Sequence, residues 1–320
     1  MYDIVICIIH HSRVDLTIDC LKSIYEPRLK IKICVVDNNP QERIEDLIVE
    51  KFSHVDVVVN LFSQGFGFNQ NMIMNKFKGK YSSFMSLNND TILKPNSIFL
   101  LYEYLFKDKV IGAVCPQMVD KENKSQASYG PIPNALTHVL RILNLKNILK
   151  IKILKFVLYK YIKLLPIFMQ HYLIAKNGYN TTRKIPRISG ACVLFKEKAI
   201  LDVGKYDEKF YMYSEDSDWS VRAKSKSFIF YLVEPAKIIH YIGASGNLKT
   251  KIELEKSMFI YIAKHQNRFK RLILRSVALI LMTIHIFHYI LCTFNLKSDQ
   301  DKILHKKLIL LGLNKMIKPI

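Results

Sequence analysis

Glu215, Asp216 and Asp218 fall within four positions of one another in the stretch from Tyr211 to Arg222, YMYSEDSDWSVR. The chain around them is strongly basic, with 48 Lys and Arg against 27 Asp and Glu and a formal net charge of +21. Carboxylates this close repel, and at least one is hard to ionise unless a cation or a donor stands nearby. Such a cluster costs stability, which points to a chemical reason for keeping it. The plain alternative is a solvated helix start, with Ser214 as N-cap and the acids complementing the helix dipole in the first turn. Its surroundings are unusual for that: Phe210, Tyr211 and Tyr213 precede the acids, and Trp219 and Arg222 follow them on the same helix.

The elements that must position these residues read as an alternating α/β pattern. Ile4 to Ile9 is a short, continuous, β-branched apolar run, as expected of a buried parallel strand. A helical stretch from Val14 to Ile24 follows. Ile31 to Val36 is a second strand, ending at Asp37-Asn38-Asn39-Pro40. Arg43 to Phe52 reads as helix, Val55 to Val59 as strand, Phe68 to Phe77 as helix, and Tyr81 to Leu87 as a fourth strand ending at Asn88-Asn89-Asp90. Val110 to Cys115 and Phe228 to Val233 are further strands. Strands alternating with helices argue for a parallel sheet with helices on both faces. Ligands in such sheets bind beyond the carboxyl ends of the strands. His10 to Arg13, Asp37 to Asn39 and Asn88 to Asp90 all stand at such ends and are expected to converge. An Asx turn is the alternative role for Asp37 in its D-N-N-P context. Gly65-Phe66-Gly67 is no dinucleotide fingerprint, since G-F-G-F-N-Q lacks the third glycine.

The run SGACVLFKEKAILDVGKYDEKFYMYSEDSDWSVR resembles the acceptor-side block of family-2 glycosyltransferases with the GT-A fold, in their bacterial rhamnosyltransferase-like branch. The resemblance covers roughly residues 3–120 and 187–246. It implies a GT-A, Rossmann-like mixed sheet flanked by helices, and an inverting transferase acting on a nucleotide-sugar donor. An acid of the Glu-Asp pair is the family's general base, which by position is Asp216; Glu215, Asp218, Trp219 and Arg222 would orient the base or the acceptor. His11, Arg13, Asp37, Gly65, Gly67, Asn71 and Asn89 fall on the nucleotide-binding segments. The family's usual Tyr-Asn ahead of the arginine is His11-Ser12 here. Leu87-Asn88-Asn89-Asp90-Thr91 resembles a reduced D-x-D metal site, with Asp90 as its carboxylate. A hard cation, Mg2+ or Mn2+, typically takes one or two carboxylates plus the diphosphate. His240, opening an H-x-x-G-x-S segment, matches the histidine that completes the metal or diphosphate site.

Charge and composition extend the expectation to partners. No acid occurs between Glu122 and Glu197 or between Glu255 and Asp299. Residues 134–180 are rich in Leu, Ile and Lys, and 276–294 form an uncharged apolar run. Basic residues interleaved with aliphatics fit an anionic membrane surface better than nucleic acid. Packing on the protein is the alternative for both segments, and a single C-terminal span is a further alternative for the second. The expected domains are a nucleotide-sugar half (1–133), a basic helical insertion (134–185), an acceptor half (186–250) and a helical tail (251–320). Six scattered cysteines without C-x-x-C spacing read as reduced core residues. With no signal peptide ahead of Met1, they lead to an expected place on the cytoplasmic face of the inner membrane. The acceptor expected there is a lipid-linked saccharide. A catalytically inactive scaffold of the same fold is the rival reading, motivated by His11-Ser12 and Asn88. Oligomeric state stays open.

Overall fold

Val5, Cys7, Cys34 and Val36 are buried on one face of a central sheet, and Ile4, Ile6, Ile8, Ile33 and Val35 on the other. Successive side chains of a strand point to opposite faces, so continuous apolar runs serve two cores at once. The computed structural model describes residues 1–126, 128–134, 181–241 and 248–267. Chain order begins with β1 (Tyr2–His10), α1 (Val14–Lys22), β2 (Ile31–Asp37), α2 (Glu45–Lys51), β3 (Val55–Val59), α3 (Phe66–Lys76) and β4 (Tyr81–Asn88). It continues with β5 (Thr91–Leu93), α4 (Ser97–Phe106), β6 (Ile111–Val119), β7 (Arg183–Ile185), β8 (Cys192–Lys196) and α5 (Glu197–Val203). The last elements are α6 (Glu215–Ser225), β9 (Ile229–His240) and α7 (Leu248–His265).

Among the described residues the strands form one nine-stranded sheet in the order β3-β2-β1-β4-β8-β6-β9-β5, with β7 also paired to β9. Strands β1 to β4 are mutually parallel where they pair, as the alternating pattern implies. The second half of the sheet departs from that all-parallel expectation. Strand β8 runs antiparallel to both β4 and β6, and β5 and β7 run antiparallel to β9. The result is a mixed α/β sheet, as the resemblance implies. Strand β9 continues well past Val233, to His240, because Glu234 to Ala236 form a bulge between the Pro116–Val233 and Gln117–Lys237 pairs. Pro235 lacks the N–H a regular ladder would need, and a bulge is where a strand tolerates it. That extension pairs His240 with Thr91, next to Asp90.

One compact unit contains residues 1–132 and 181–241, and it carries all the candidate site residues; helix α7 belongs to a second unit. Among the described residues no helix is long and apolar enough to cross a membrane. The expected basic insertion and the apolar run 276–294 lie outside the described residues, apart from 134 and 181–185 at the insertion's edges.

Candidate active site

Helix α6 begins at a strained elbow. Tyr213 and Ser214, both non-glycine, take left-handed backbone angles, with φ of 69° and 65°. Such conformations cost on the order of 1–3 kcal/mol each and persist only where the surroundings enforce them. Ser214 holds the N-cap position but makes no side-chain cap bond, so the capped-helix alternative does not describe this turn. The elbow delivers Glu215 into the interior and Asp216 to a partly open position. Glu215 is 5% exposed, and its Oε2 has no hydrogen-bond partner. Burial, aided by the charge of Asp216, raises its pKa to about 8. Asp216 is held at both oxygens. Its Oδ2 accepts from Arg187 Nη1 at 3.1 Å, and its Oδ1 accepts from the backbone N–H of Ser217 at 2.6 Å and from Ser217 Oγ at 3.1 Å. Sequence reasoning missed Arg187. A single arginine beside Ile188 has no spacing signal, and its partner lies 29 residues away.

The other members of the cluster turn inward. Asp218 is fully buried and accepts from Arg222 Nε at 2.8 Å. The same guanidinium donates to the carbonyls of Val203 and Lys205, so the pair staples α6 to the turn after α5. Trp219 is 1% exposed, packs edge-on against Phe195 at 4.7 Å, and donates its Nε1 hydrogen to Gly204 O. These three residues were expected to orient the acceptor. In the structure they are committed to one another, to the core and to backbone carbonyls.

At the far ends of β4 and β9, Asp90 Oδ1 stands 3.5 Å from His240 Nε2. Asp90 Oδ1 and His240 Nδ1 are both buried without a hydrogen-bond partner. Gln126 Nε2 donates to the His240 carbonyl at 3.2 Å, and the Tyr241 N–H donates to Asp90 O at 3.0 Å, so the pair is braced from two sides. His240 turns Nε2 towards Asp90 Oδ1, and a carboxylate oxygen left unbonded beside an imidazole nitrogen fits a hard divalent cation whose other ligands come from a diphosphate. Among the described residues no group of three or more His, Cys, Asp and Glu could hold a metal alone. Asn89 Nδ2 donates to Ser12 O and to Thr17 Oγ1, and Thr17 Oγ1 is 2.8 Å from His10 Nδ1. Asn89 thus ties the Asp90 loop to the loop after β1.

Several expected nucleotide contacts have other partners. Asp37 is fully buried, with one oxygen accepting from the Asn39 N–H and the other from the Ile44 N–H. This is the Asx-turn alternative, extended to fix the start of α2. Asn71 donates to Tyr206 O and Glu208 Oε1 and accepts from the Tyr206 N–H, leaving no free amide atom to face a nucleotide. The close backbone approach expected at Gly65 is present, but to the chain itself: a Cβ there would lie 2.8 Å from Tyr211 O. At Gly67 a Cβ would lie 3.1 Å from Tyr206 Cβ. Gly65, Gly67 and Asn71 together clasp α3 to the segment leading into the acid cluster. His11 and Arg13 are exposed; Arg13 has φ of 64° and pairs with Asp15 at 2.7 Å.

The segment from Arg187 to Ala191 connects the two clusters. Arg187 holds Asp216, the Ile188 N–H donates to Ser220 Oγ, and Ala191 O accepts from the Asn88 N–H at 2.9 Å. Four residue steps span at most about 14 Å of chain. The acid cluster and the Asp90–His240 pair are therefore tied to opposite ends of one short strap. A Cβ on Gly190, within the strap, would meet nothing within 4 Å, so this stretch borders open space.

A model of the family described as "Glycosyl transferase family 2" matches residues 5–168, half of the chain. The N-acetylglucosaminyl-diphospho-decaprenol L-rhamnosyltransferase of Mycobacterium tuberculosis, represented by two strains, is 29% identical over 96 residues. That alignment covers 29% of this chain and 31% of the relative, so the chain matches about a third of its relative's length. Among solved structures, GalNAc-T7 with UDP, GalNAc and Mn2+ superposes with a TM-score of 0.52 at 12% identity, over 79% of this chain and 47% of that one. The mannosyltransferase PcManGT from Pyrobaculum calidifontis, in complex with GDP-Man and Mn2+, gives 0.54 at 12% identity, over 97% and 80%. At that identity the likeness is one of fold. The matched family region contains the strand that ends in Asp37 and the turn after β4 that carries Asp90, and this chain belongs to glycosyl transferase family 2.

Proposed function

We propose that this protein is an inverting glycosyltransferase. It moves a sugar, rhamnose in the favoured reading, from a nucleoside-diphosphate donor to a hydroxyl of a lipid-linked saccharide. The observation that carries this reading is the strap from Arg187 to Ala191, bonded at one end to Asp216 and at the other to the β4 terminus beside Asp90. Asp216, the more open of the paired acids, takes the proton as the acceptor oxygen attacks the anomeric carbon. The bond from that carbon to the diphosphate oxygen breaks on the opposite face, the nucleoside diphosphate leaves, and single displacement inverts the centre. Asp90 and His240 would hold Mg2+ or Mn2+, which supplies charge neutralisation for the departing diphosphate. Rhamnose and the lipid-linked acceptor are favoured because the Mycobacterium tuberculosis relative is named for both.

The acid-free basic segments support a peripheral place on an anionic membrane surface, at its cytoplasmic face. The test is nucleoside-diphosphate release from a panel of dTDP-L-rhamnose and UDP-, GDP- and dTDP-hexoses, with N-acetylglucosaminyl-diphospho-decaprenol and Mg2+ or Mn2+. Acceptor-dependent release that disappears in Asp216→Asn supports the reading. Undiminished release in Asp216→Asn refutes the assignment of the base. Donor binding without turnover across the panel would favour the inactive scaffold.

A further inference from the structure

We propose that Arg187 is the positioning residue of this site, fixing the Asp216 carboxylate in the attitude from which it takes the acceptor proton. The inference rests on the preceding reading of Asp216 as the base, and adds the residue through which that base is held. The guanidinium is locked on three sides: Nε donates to Pro131 O at 2.9 Å, and Nη1 donates to Ile188 O at 3.2 Å and to Asp216 Oδ2 at 3.1 Å. Its side chain is 22% exposed and that of Asp216 is 15% exposed, so the pair is largely shielded from water without being sealed from a substrate.

The path of Arg187 also has room made for it. A Cβ on Gly130 would lie 2.9 Å from Arg187 Nη2, so any larger residue there must push the guanidinium aside. Only a planar fork makes these three bonds together; a lysine ammonium is a single point on a flexible stem. Ser217 holds the other carboxylate oxygen, so the plane of Asp216 is fixed from both sides. The charged and titratable groups around it are Arg187, Glu215, Tyr206 and Cys115. Arg187 is the cation among these groups, and its ion pair is with Asp216 rather than with Glu215. It thereby distinguishes two adjacent acids that sequence alone leaves equivalent. Because Arg187 also begins the strap to Asn88, the attitude of the base is referenced to the strand end that carries Asp90.

The experiment is a double-mutant cycle on the full chain: Arg187→Met, Asp216→Asn and the two combined, with Arg187→Lys and Gly130→Ala alongside. Turnover is read with dTDP-L-rhamnose, N-acetylglucosaminyl-diphospho-decaprenol and Mn2+, separating kcat from the donor KM, and every variant is also unfolded in urea. Misplacing a reacting group by about 1 Å can cost on the order of a hundredfold in rate. Arg187→Met is therefore expected to lower kcat roughly tenfold to a hundredfold with the donor KM within about twofold. The double variant should be no slower than Asp216→Asn, Arg187→Lys should recover part of kcat, and Gly130→Ala, which shifts the guanidinium but removes no charged side chain, should lower kcat. In urea, the two single losses should not add. Wild-type kcat in Arg187→Met, with Asp216→Asn inactive, overturns this inference and leaves the base assignment standing; full activity in Asp216→Asn overturns the base assignment itself. Strictly additive urea losses overturn the pairing, and that arm is decided whichever donor and acceptor the protein uses.

Discussion

Replacing Glu215 by Gln should make the protein more stable at alkaline pH, by an amount set by how far burial disfavours the ionised carboxyl. The folded-state pKa is raised from 4.5 to about 8, first by burial and then by the neighbouring Asp216 charge. Between these two values the folded protein keeps a proton that the unfolded chain releases, so stability falls as pH rises through this window. One pKa unit is about 1.4 kcal/mol, which makes the full loss on the order of 3–5 kcal/mol, complete only above the folded value. Gln keeps the shape of Glu, carries no charge, and should remove this slope. The assay is urea unfolding of both proteins between pH 5 and pH 9, read as the difference between them. Taking the difference cancels His10, whose pKa is lowered by burial and whose contribution has the opposite sign, with stability rising with pH. The variant should match wild type near pH 5 and exceed it increasingly towards pH 9. Parallel curves across that range would show that Glu215 ionises freely, and would remove the argument that burial keeps its proton on at neutral pH.

Three further outcomes follow from the geometry. Asp90→Ala should abolish most metal-stimulated turnover and weaken Mn2+ binding measured by electron paramagnetic resonance in the presence of nucleoside diphosphate; undiminished Mn2+ affinity would refute the Asp90–His240 assignment. Asp218→Asn breaks a buried pair and should cost roughly 3 kcal/mol in urea unfolding, with turnover per folded molecule near normal; stable but inactive protein would restore an acceptor role for Asp218. Ser214→Gly relieves a left-handed non-glycine residue that has no cap bond to lose, and should gain about 0.5–1 kcal/mol; a loss of a few tenths of a kcal/mol, as Gly costs at an ordinary N-cap, would contradict the observed elbow.

The first half of the sheet was legible because its strands are continuous apolar runs ending in polar turns, and alternation with helices dictates their parallel order. The second half was not, for local reasons. Cys192 to Lys196 is apolar enough for a strand, but nothing in its composition tells that it runs antiparallel between β4 and β6. Strands β5 and β7 have three residues each, too few for any periodicity. The extension of β9 hides behind Glu234-Pro235, which reads as a break and is a bulge. That bulge carries His240 to Asp90, so the pairing of these two residues came from their place in a family pattern and not from local sequence.

The acid cluster shows where pattern reasoning stops. Three carboxylates in four positions announce a site, but each residue step turns about 100° along the helix, so each acid meets a different environment. Asp218 faces the core and is answered by Arg222, one turn along the same helix, a pairing that i,i+4 spacing makes visible in advance. Glu215 faces the core with an unpartnered oxygen and gives up its charge instead. Asp216 is answered by Arg187, which arrives from another element along a path that Gly130 leaves open. The first solution is architecture, since it consumes the carboxylate against backbone and core. The second holds its proton in preference to its charge at neutral pH. Only the third leaves a carboxylate fixed in direction and still partly exposed, as removing a proton from a sugar hydroxyl requires. The base is thus selected by what surrounds each acid, and in a chain with a net charge of +21 the decisive surroundings are the few cations placed to meet particular carboxylates.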